Sequence, residues 1–272
     1  MNAPPVSALL PRVRAELRLE AARAGVRTQA ARAYDSGGWR WRFPRSGAVC
    51  EAVIVNTGGG MAGGDRASVE VSAGPEAALL LTSQSAEKIY RAAGSVCEVR
   101  LKLTAAEGAR LIWAPQETLL FEGAALSRRL EADVEETGSL TIYEATAFGR
   151  LAHGETRVDA SLQDIWRLRR GGRLVFAEAL RLDHAGAALD RPAVGAGARA
   201  LATLVRIAPD AAAGLDPLRA ALAAAIDVEA GASVVDGVLV ARLISASPQR
   251  LREALATAFV VLEGRAPPRV WQ

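Results

Sequence analysis

The sequence predicts a mainly β protein, a large multi-stranded assembly of packed or coiled sheets with about two helices in the C-terminal third. Apolar and polar residues alternate with a period of two in short stretches along residues 12–182. Glycine-rich turns separate these stretches at short intervals, and helical spacing appears only in the last third. No repeat or long linker divides the 272 residues, so we expect a single domain spanning residues 1–272.

The strands follow from the alternation, and their boundaries follow from turn sequences such as DSGG at 35–38, EETG at 135–138 and GG at 171–172. Before the first strand, Pro4 and Pro5 disfavour regular structure, so residues 1–10 are expected to be frayed. The predicted strands are 12–20, 27–34, 39–43, 49–55, 67–71, 77–81, 96–103, 109–113, 119–121, 126–134, 139–148, 157–169, 174–182 and 234–243.

Two helices are predicted after residue 210. The first spans residues 217–225, with Asp216 as its N-cap and Pro217 at its first position. The second spans residues 249–262; Ser247 and Pro248 open it and Gly264 ends it.

Composition and charge exclude several classes of function. The formal net charge is only +3, and the 31 arginines and two lysines are interleaved with acids, so no basic block is available for nucleic acid. No apolar run approaches the length of a membrane span. Cys50 and Cys97 lie in separate strand-like runs without a CxxC partner, which indicates two buried thiols in a reducing compartment. We therefore expect a cytoplasmic protein that binds neither nucleic acid nor membrane.

Five glycines fall within seven positions, between two predicted strands: Gly58, Gly59, Gly60, Gly63 and Gly64. Such a run requires backbone at positive φ, or brought very close to another group, several times in succession. A phosphate loop is disfavoured because no Gly-Lys-Ser/Thr closes the run and a strand, not a helix, follows it. A glycine-lined bulge in an all-β protein remains the plain structural alternative.

Several acids share a strand face with apolar residues and are therefore expected to point inward. Glu144, Glu178 and Asp65 have this parity, as does Glu117 if Pro115 does not break its register. A buried carboxylate is costly unless it is paired or protonated. These acids could pair with arginines, line a wet channel that handles a cation, or form a general acid/base pair. No activating neighbour supports the last, and no residue is predicted to be catalytic.

Four ordered motifs resemble the UreD (also called UreH) urease accessory proteins, and the resemblance covers residues 12–182 well. In the C-terminal third only the length and the placement of the helices match. The motifs are NTGGGMAGGD at 56–65, LTSQSAEKIYR at 81–91, WAPQETLLF at 113–121, and FGR at 148–150 with GE at 154–155.

The resemblance implies a cytoplasmic, non-enzymatic scaffold that binds the urease structural subunits, UreF and UreG and helps deliver nickel to urease. It also implies an internal tunnel, with Asp65, Glu144 and Glu178 along the path and Ser85 and Glu117 as weaker candidates. The glycines would let the backbone pack tightly beside it. Nickel would be held transiently, with no tight metal site and no tightly bound cofactor. The resemblance does not identify the partner-binding surface. The alternative is an all-β enzyme that uses two inward acids on a polar substrate such as a saccharide.

Overall fold

The computed structural model describes residues 12–45, 47–150 and 153–271. The expected fraying of residues 1–10 lies outside these residues. Most of the chain before residue 183 is β-strand, as predicted. These strands are β1 (Arg14–Ala24), β2 (Arg27–Ser36), β3 (Trp39–Arg42), β4 (Cys50–Asn56), β5 (Arg66–Ala73), β6 (Ala78–Ser83), β7 (Glu87–Ile89), β8 (Cys97–Ala105), β9 (Arg110–Trp113), β10 (Thr118–Leu120), β11 (Ala125–Val134), β12 (Ser139–Phe148), β13 (Ser161–Arg170) and β14 (Arg173–Leu182).

The C-terminal third adds three helices and three strands, against about two helices and one strand predicted. They are α1 (Ala185–Leu189), β15 (Ala200–Ile207), α2 (Leu215–Ala223), β16 (Glu229–Val235), β17 (Val238–Ser245) and α3 (Pro248–Glu263). The fold class is confirmed. None of the helices in the described ranges is both long and apolar enough to cross a membrane.

The strands form two sheets that face each other. Sheet A has the order β14-β13-β11-β8-β5-β1-β2, and sheet B has the order β16-β17-β15-β12-β9-β6-β4-β3. From β4 to β13 the chain alternates between the sheets, and strands that are neighbours within a sheet run parallel there. The chain thus winds as a β-solenoid in which each strand of one sheet is the crossover between two strands of the other.

A short third side completes each coil. β7 pairs in parallel with β10, and β10 pairs in parallel with the end of β12, while Met61 forms a bridge to Ile89. Met61, Ile89, Leu120 and Phe148 are in register along this side, and each is no more than 1% exposed. The ladder is one wall of the main core, which fills the space between the two sheets. The two cysteines are buried in this core, as predicted.

Helices α2 and α3 cover the outer face of sheet B, where a second core includes Tyr143, Leu204, Leu218 and Phe259, whereas the buried residues of α1 belong to the main core. At the start of α3, the Ser247 hydroxyl accepts from the Arg250 amide at 3.3 Å, and at its end Gly264 takes φ +63°, as the sequence predicts. The capping prediction for α2 is wrong. A 3₁₀ turn at residues 211–214 runs directly into α2, so Gly214 is the N-cap and Asp216 lies in the first turn.

The predicted strand at residues 234–243 is also wrong, because it is a hairpin of β16 and β17. Asp236 and Gly237 form the turn with φ of +50° and +77°, the conformation that an Asp-Gly hairpin turn favours. The apolar residues on both sides of the turn belong to different strands.

Candidate functional site

A cavity of about 60 Å³ lies between the two sheets, bounded on its third side by β7 and β10. Its apolar lining includes Trp39, Ile54 and Leu126. Six polar side chains also line it, contributed by both sheets and by the short third side: Ser83, Glu87, Gln116, Thr118, Arg128 and Glu144. Five of these carry oxygen atoms, the donors that hard and borderline cations accept.

Glu144 occupies the wall of this cavity, as its strand parity predicts. It lies on β12 and is 4% exposed. The Trp113 indole N–H donates to its Oε1 at 2.6 Å, and its Oε2 forms an ion pair with Arg128. Burial raises the pKa of Glu144, while Arg128 opposes that rise. The Glu144 carboxylate is therefore paired with Arg128 and is also part of the cavity lining.

Arg128 joins Glu144 to a second buried acid, Asp164. Arg128 on β11 and Asp164 on β13 are direct cross-strand partners, which fixes the guanidinium against the carboxylate. The Arg128 Nε donates to Asp164 Oδ1 at 3.1 Å, and the Trp166 indole donates to the same oxygen at 2.8 Å. Burial would lower the pKa of Arg128, but Asp164 and Glu144 together raise it. One guanidinium thus faces two carboxylates, a net charge of −1 when both are ionised.

Glu87 is a cavity residue that the strand pattern of the sequence did not reveal. It lies on β7, and the Asn56 side-chain amide donates to its Oε1 at 2.8 Å. Burial raises the pKa of Glu87 to about 7, against the lowering effects of Asn56 and Lys88. Its parity with the buried Ile89 indicates an inward direction, but a three-residue strand gives too short an alternation to be recognised.

Asp65 is buried, as predicted, but both of its oxygens are engaged. Oδ1 accepts from the Val13 amide and Oδ2 from the Ala62 amide, each at 2.8 Å. The carboxylate therefore ties the end of the glycine segment to the start of β1. It does not line the cavity.

The other three predicted path residues lie outside the cavity. Glu178 on β14 is half-buried and forms an ion pair with Arg242 on β17, bridging the two sheets at one end of the solenoid. Glu117 forms an ion pair with Arg252 on α3. Ser85 is exposed, and its carbonyl accepts from the Ser83 hydroxyl at 3.0 Å. The predicted enzyme alternative needs two acids acting together, whereas Glu144 and Glu178 belong to separate ion pairs.

The glycine segment is packed as tightly as its composition suggests. A Cβ on Gly60 would lie 2.4 Å from the Tyr90 ring, and a Cβ on Gly63 would lie 2.2 Å from the Ser95 carbonyl oxygen. Gly59 and Gly64 take positive φ, while Gly58 is exposed and has an ordinary φ. The segment therefore fits against the 87–96 stretch, which begins with β7 and lies next to the cavity.

The cavity is not a closed metal site. Within the described part of the chain, no group of three or more His, Cys, Asp or Glu side chains is placed to bind a metal ion. The cavity has two carboxylates, two hydroxyls and an amide, with a guanidinium among them. This arrangement suits weak, transient contact with a cation better than tight coordination.

Comparison with known proteins gives consistent results. A family model described as UreD urease accessory protein matches residues 13–272. A urease accessory protein UreD of Methylobacterium sp. (strain 4-46) is 48% identical over 255 residues, which cover 92% of this chain and 90% of the relative. One of Xanthobacter autotrophicus is 48% identical, covering 97% and 91%, and one of Mesorhizobium japonicum is 41% identical, covering 93% and 91%.

Proposed function

The chain belongs to the UreD family of urease accessory proteins, and on that basis we propose that it helps deliver nickel to the urease active site through its interior. Family membership itself gives a role in urease maturation, as a maturation factor and not as an enzyme. In the proposal, the chain acts in the cytoplasm as a scaffold that contacts the urease structural subunits, UreF and UreG. Nickel is the cargo and is held only in transit.

The observation that carries this proposal is the position of Glu144 on the wall of a cavity inside the solenoid. Glu87 lines the same cavity from the third side, so two carboxylates from different coils face one space. Oxygen donors of this kind accept a divalent cation, and weak contact at several sites lets an ion leave as readily as it enters.

The contacts of Arg128 favour passage of nickel through the cavity over tight binding of nickel there. Its ion pair with Glu144 neutralises part of the charge that would otherwise hold a divalent ion firmly. Asp164 binds the opposite side of the guanidinium, so Arg128 stays in place when Glu144 turns toward a cation. The cavity wall thus combines an available carboxylate with a fixed positive charge that weakens binding.

The other predicted path residues take different parts in the proposal. Glu117 stands at the outer wall of the cavity, close to α3, and Ser85 lies near the same wall. Asp65 acts mainly by holding the glycine segment against the coil, and Glu178 lies at the end of the path where β14 meets β17.

The test is co-expression of the tagged chain with the urease structural subunits, UreF and UreG in medium supplemented with nickel. The arms are no chain, wild type, Glu144→Gln, and Glu70→Gln as the control. Glu70 is exposed on the outer face of sheet A, where it pairs with Lys102 at 3.2 Å.

Urease activity, nickel per urease active site and co-purified subunits are measured in each arm. We expect activity that depends on the chain, a fall of tenfold or more with Glu144→Gln while the complex still co-purifies, and no change with Glu70→Gln. Full urease activity without the chain would contradict the maturation role. Full activity with Glu144→Gln would contradict the interior path.

A further inference from the structure

The interior cavity has a neighbour on the outside of the solenoid. A pocket of about 20 Å³, enough for one water molecule, lies between α3 and the chain segment that joins β9 to β10. Pro115 and Gln116 line this outer pocket and the interior cavity alike. Glu117 faces the outer pocket and Thr118 faces the inner cavity. A single layer of polypeptide, residues 115–117, therefore separates the outer pocket from the interior cavity.

This wall has few backbone bonds to the coil beside it. The Ala114 amide donates to the Leu81 carbonyl at its start, and the Glu117 carbonyl accepts from the Glu87 amide at its end. Between these points Pro115 has no N–H, and the Gln116 amide donates to the Ser83 hydroxyl at 2.9 Å. A strand in a sheet would be bonded along its whole length, so residues 115–117 are held by fewer backbone bonds than a strand would be.

The wall is fastened from both sides. On the coil side the Gln116 side-chain amide donates to the Gln84 carbonyl at 2.9 Å and to the Ser83 carbonyl at 3.5 Å. From outside it is held by α3 and the C-terminal segment. Glu117 forms an ion pair with Arg252, and the Arg252 side chain is 42% exposed. The Gln116 side-chain amide donates to the Val270 carbonyl at 2.8 Å, and the Trp271 indole donates to the Ala114 carbonyl at 3.2 Å. The position of the wall therefore depends on α3 and residues 270–271 as well as on the coil that carries Ser83 and Gln84.

We propose that residues 115–117 are a movable wall between the interior cavity and the pocket beneath α3, held closed by the Glu117–Arg252 ion pair. This inference rests on the proposed function and adds an exit through which a hydrated divalent cation passes. Water and competing charges reach this ion pair from the Arg252 side, because the Arg252 side chain is 42% exposed and the Glu117 side chain only 15%. A carboxylate brought to Arg252 by a protein bound over α3 would release Glu117 and allow the wall to move.

The wall is tested by the accessibility of a cysteine inside the cavity. Thr118→Cys places a thiol on the inner lining, while the native Cys50 and Cys97 are buried and their slow reaction is measured in a chain without Thr118→Cys. We expect a small thiosulfonate reagent to label the Thr118→Cys chain at least tenfold faster when Arg252→Glu is added. The control is Arg250→Glu, two residues away on α3, since Arg250 pairs with Glu253 within the helix.

A charge-exchanged variant shows whether faster labelling comes from loss of the ion pair or from misfolding. Glu117→Arg combined with Arg252→Glu re-forms the ion pair in reverse, and labelling should return to the slow rate. Equal labelling rates with and without Arg252→Glu overturn the proposal. So does fast labelling that persists in the charge-exchanged chain.

A reversible cross-link tests whether movement of the wall is needed for nickel delivery. Glu117→Cys with Arg252→Cys is bridged by a short bis-thiosulfonate linker that a reductant removes, and urease activation is measured in the reconstituted complex. The control bridge joins Glu70→Cys to Lys102→Cys on the exposed face of sheet A. We expect activation to fall at least tenfold only with the first bridge and to recover on reduction.

Cysteine labelling and urease activation test different proposals, so a negative result in one can be told from a negative result in the other. Chain-dependent activation that the cross-link leaves unchanged overturns the wall as an exit but leaves the maturation role intact. Labelling that responds to Arg252→Glu in a chain that activates no urease supports the movable wall and contradicts the proposed function.

Discussion

Arg128 illustrates how single side chains set the charge of the cavity. It lies between Glu144 and Asp164, all three at most 5% exposed. Taking ions out of water costs several kcal/mol each, and the attraction between them offsets that cost only where the geometry is good. Here the register of β11 and β13 and the indoles of Trp113 and Trp166 supply that geometry. The cluster is held by donors that the fold positions.

Removing the guanidinium should leave two buried carboxylates without their cation. We expect Arg128→Met to lower the free energy of unfolding by about 3–5 kcal/mol at pH 7, measured by urea denaturation. The loss should shrink in acid, where protonation neutralises carboxyls. The adjacent Arg129→Met is the control, because the Arg129 side chain is 56% exposed and pairs with Glu131, whose side chain is 45% exposed. Similar losses in both variants would contradict this account of the cluster.

Glu87 should give stability a pH dependence of its own. Burial raises its pKa from 4.5 to about 7, so between these values the unfolded chain releases the proton that the folded chain keeps. The contribution of Glu87 is therefore fully present below pH 4.5 and is lost as pH rises through about 7. A tenfold difference in proton affinity between the folded and unfolded chain corresponds to about 1.4 kcal/mol.

The measurement is the free energy of unfolding of wild type relative to Glu87→Gln from pH 4.5 to 8. The difference should move against the wild type as pH rises in that window, because glutamine does not titrate. Glu70→Gln serves as the exposed control and should follow the wild-type curve. Parallel curves for wild type and Glu87→Gln would contradict a raised pKa at this position.

Gly63 offers a steric test of the glycine segment. A Cβ there meets the Ser95 carbonyl oxygen at 2.2 Å and Ala92 Cα at 2.8 Å, both backbone atoms that cannot turn away. We expect Gly63→Ala to lower the free energy of unfolding by about 1–3 kcal/mol. Gly58→Ala is the matched control, since Gly58 is exposed and its nearest contact is the Asn56 side chain at 3.3 Å. A Gly63→Ala chain as stable as the Gly58→Ala chain would show that the segment has room.

Among the elements, α3 was the most predictable from sequence and the β16–β17 hairpin one of the least. Ser247 and Gly264 mark the ends of α3 by local chemistry, which acts within one turn of helix. The sequence pattern predicts one strand in place of the hairpin because Val234 to Leu243 is apolar on both sides of Asp236-Gly237. The inward direction of Glu144 follows from the alternation of a ten-residue strand, whereas Glu87 lies on a three-residue strand that is too short to reveal an alternation. Arg128 was missed because its role depends on partners 16 and 36 residues away.

The end of α3 is attached to sheet B by another buried acid, Glu263. The Tyr143 hydroxyl donates to its Oε1 at 3.1 Å, and Arg110 donates to Oε2 at 2.6 Å and to the Glu263 carbonyl at 3.0 Å. An acid at a helix C-terminus is unfavourable for the helix dipole, so these donors compensate for its position. Burial raises the pKa of Tyr143, and Glu263 adds to the rise, so the hydroxyl remains a donor.

Tyr143→Phe should therefore loosen this attachment without creating a cavity. The lost donor leaves one oxygen of a fully buried carboxylate less satisfied, and we expect a loss of about 1–3 kcal/mol in the free energy of unfolding. Tyr34→Phe is the control, since Tyr34 is 51% exposed, and it should change stability by less than about 0.5 kcal/mol. Equal effects of the two substitutions would mean that the hydroxyl does not support α3.

At the scale of the whole molecule, the solenoid explains how many short strands, each with a weak sequence pattern, build one shared core. Each coil places a strand in both sheets, so inward residues of distant sequence share one core. Parity along a strand predicts which side chains face that core, but the register between coils decides which of them meet. The sequence predicted packed or coiled sheets and could not fix this register, because parallel neighbours are separated by a strand of the other sheet.

The same architecture predicts a gradient of stability along the solenoid. Central strands such as β5, β8 and β11 have neighbours on both sides, whereas β2 and β16 are edge strands with most residues exposed. In a stack of coils each unit is stabilised mainly by its neighbours, so opening should begin at the ends. We expect the amides of β2 and β16 to exchange with deuterium at least tenfold faster than those of β8 and β11 under native conditions, measured by mass spectrometry of peptides. Uniform exchange, or protection highest at the edges, would mean that the sheets open as one unit and that the coils are not the units of stability.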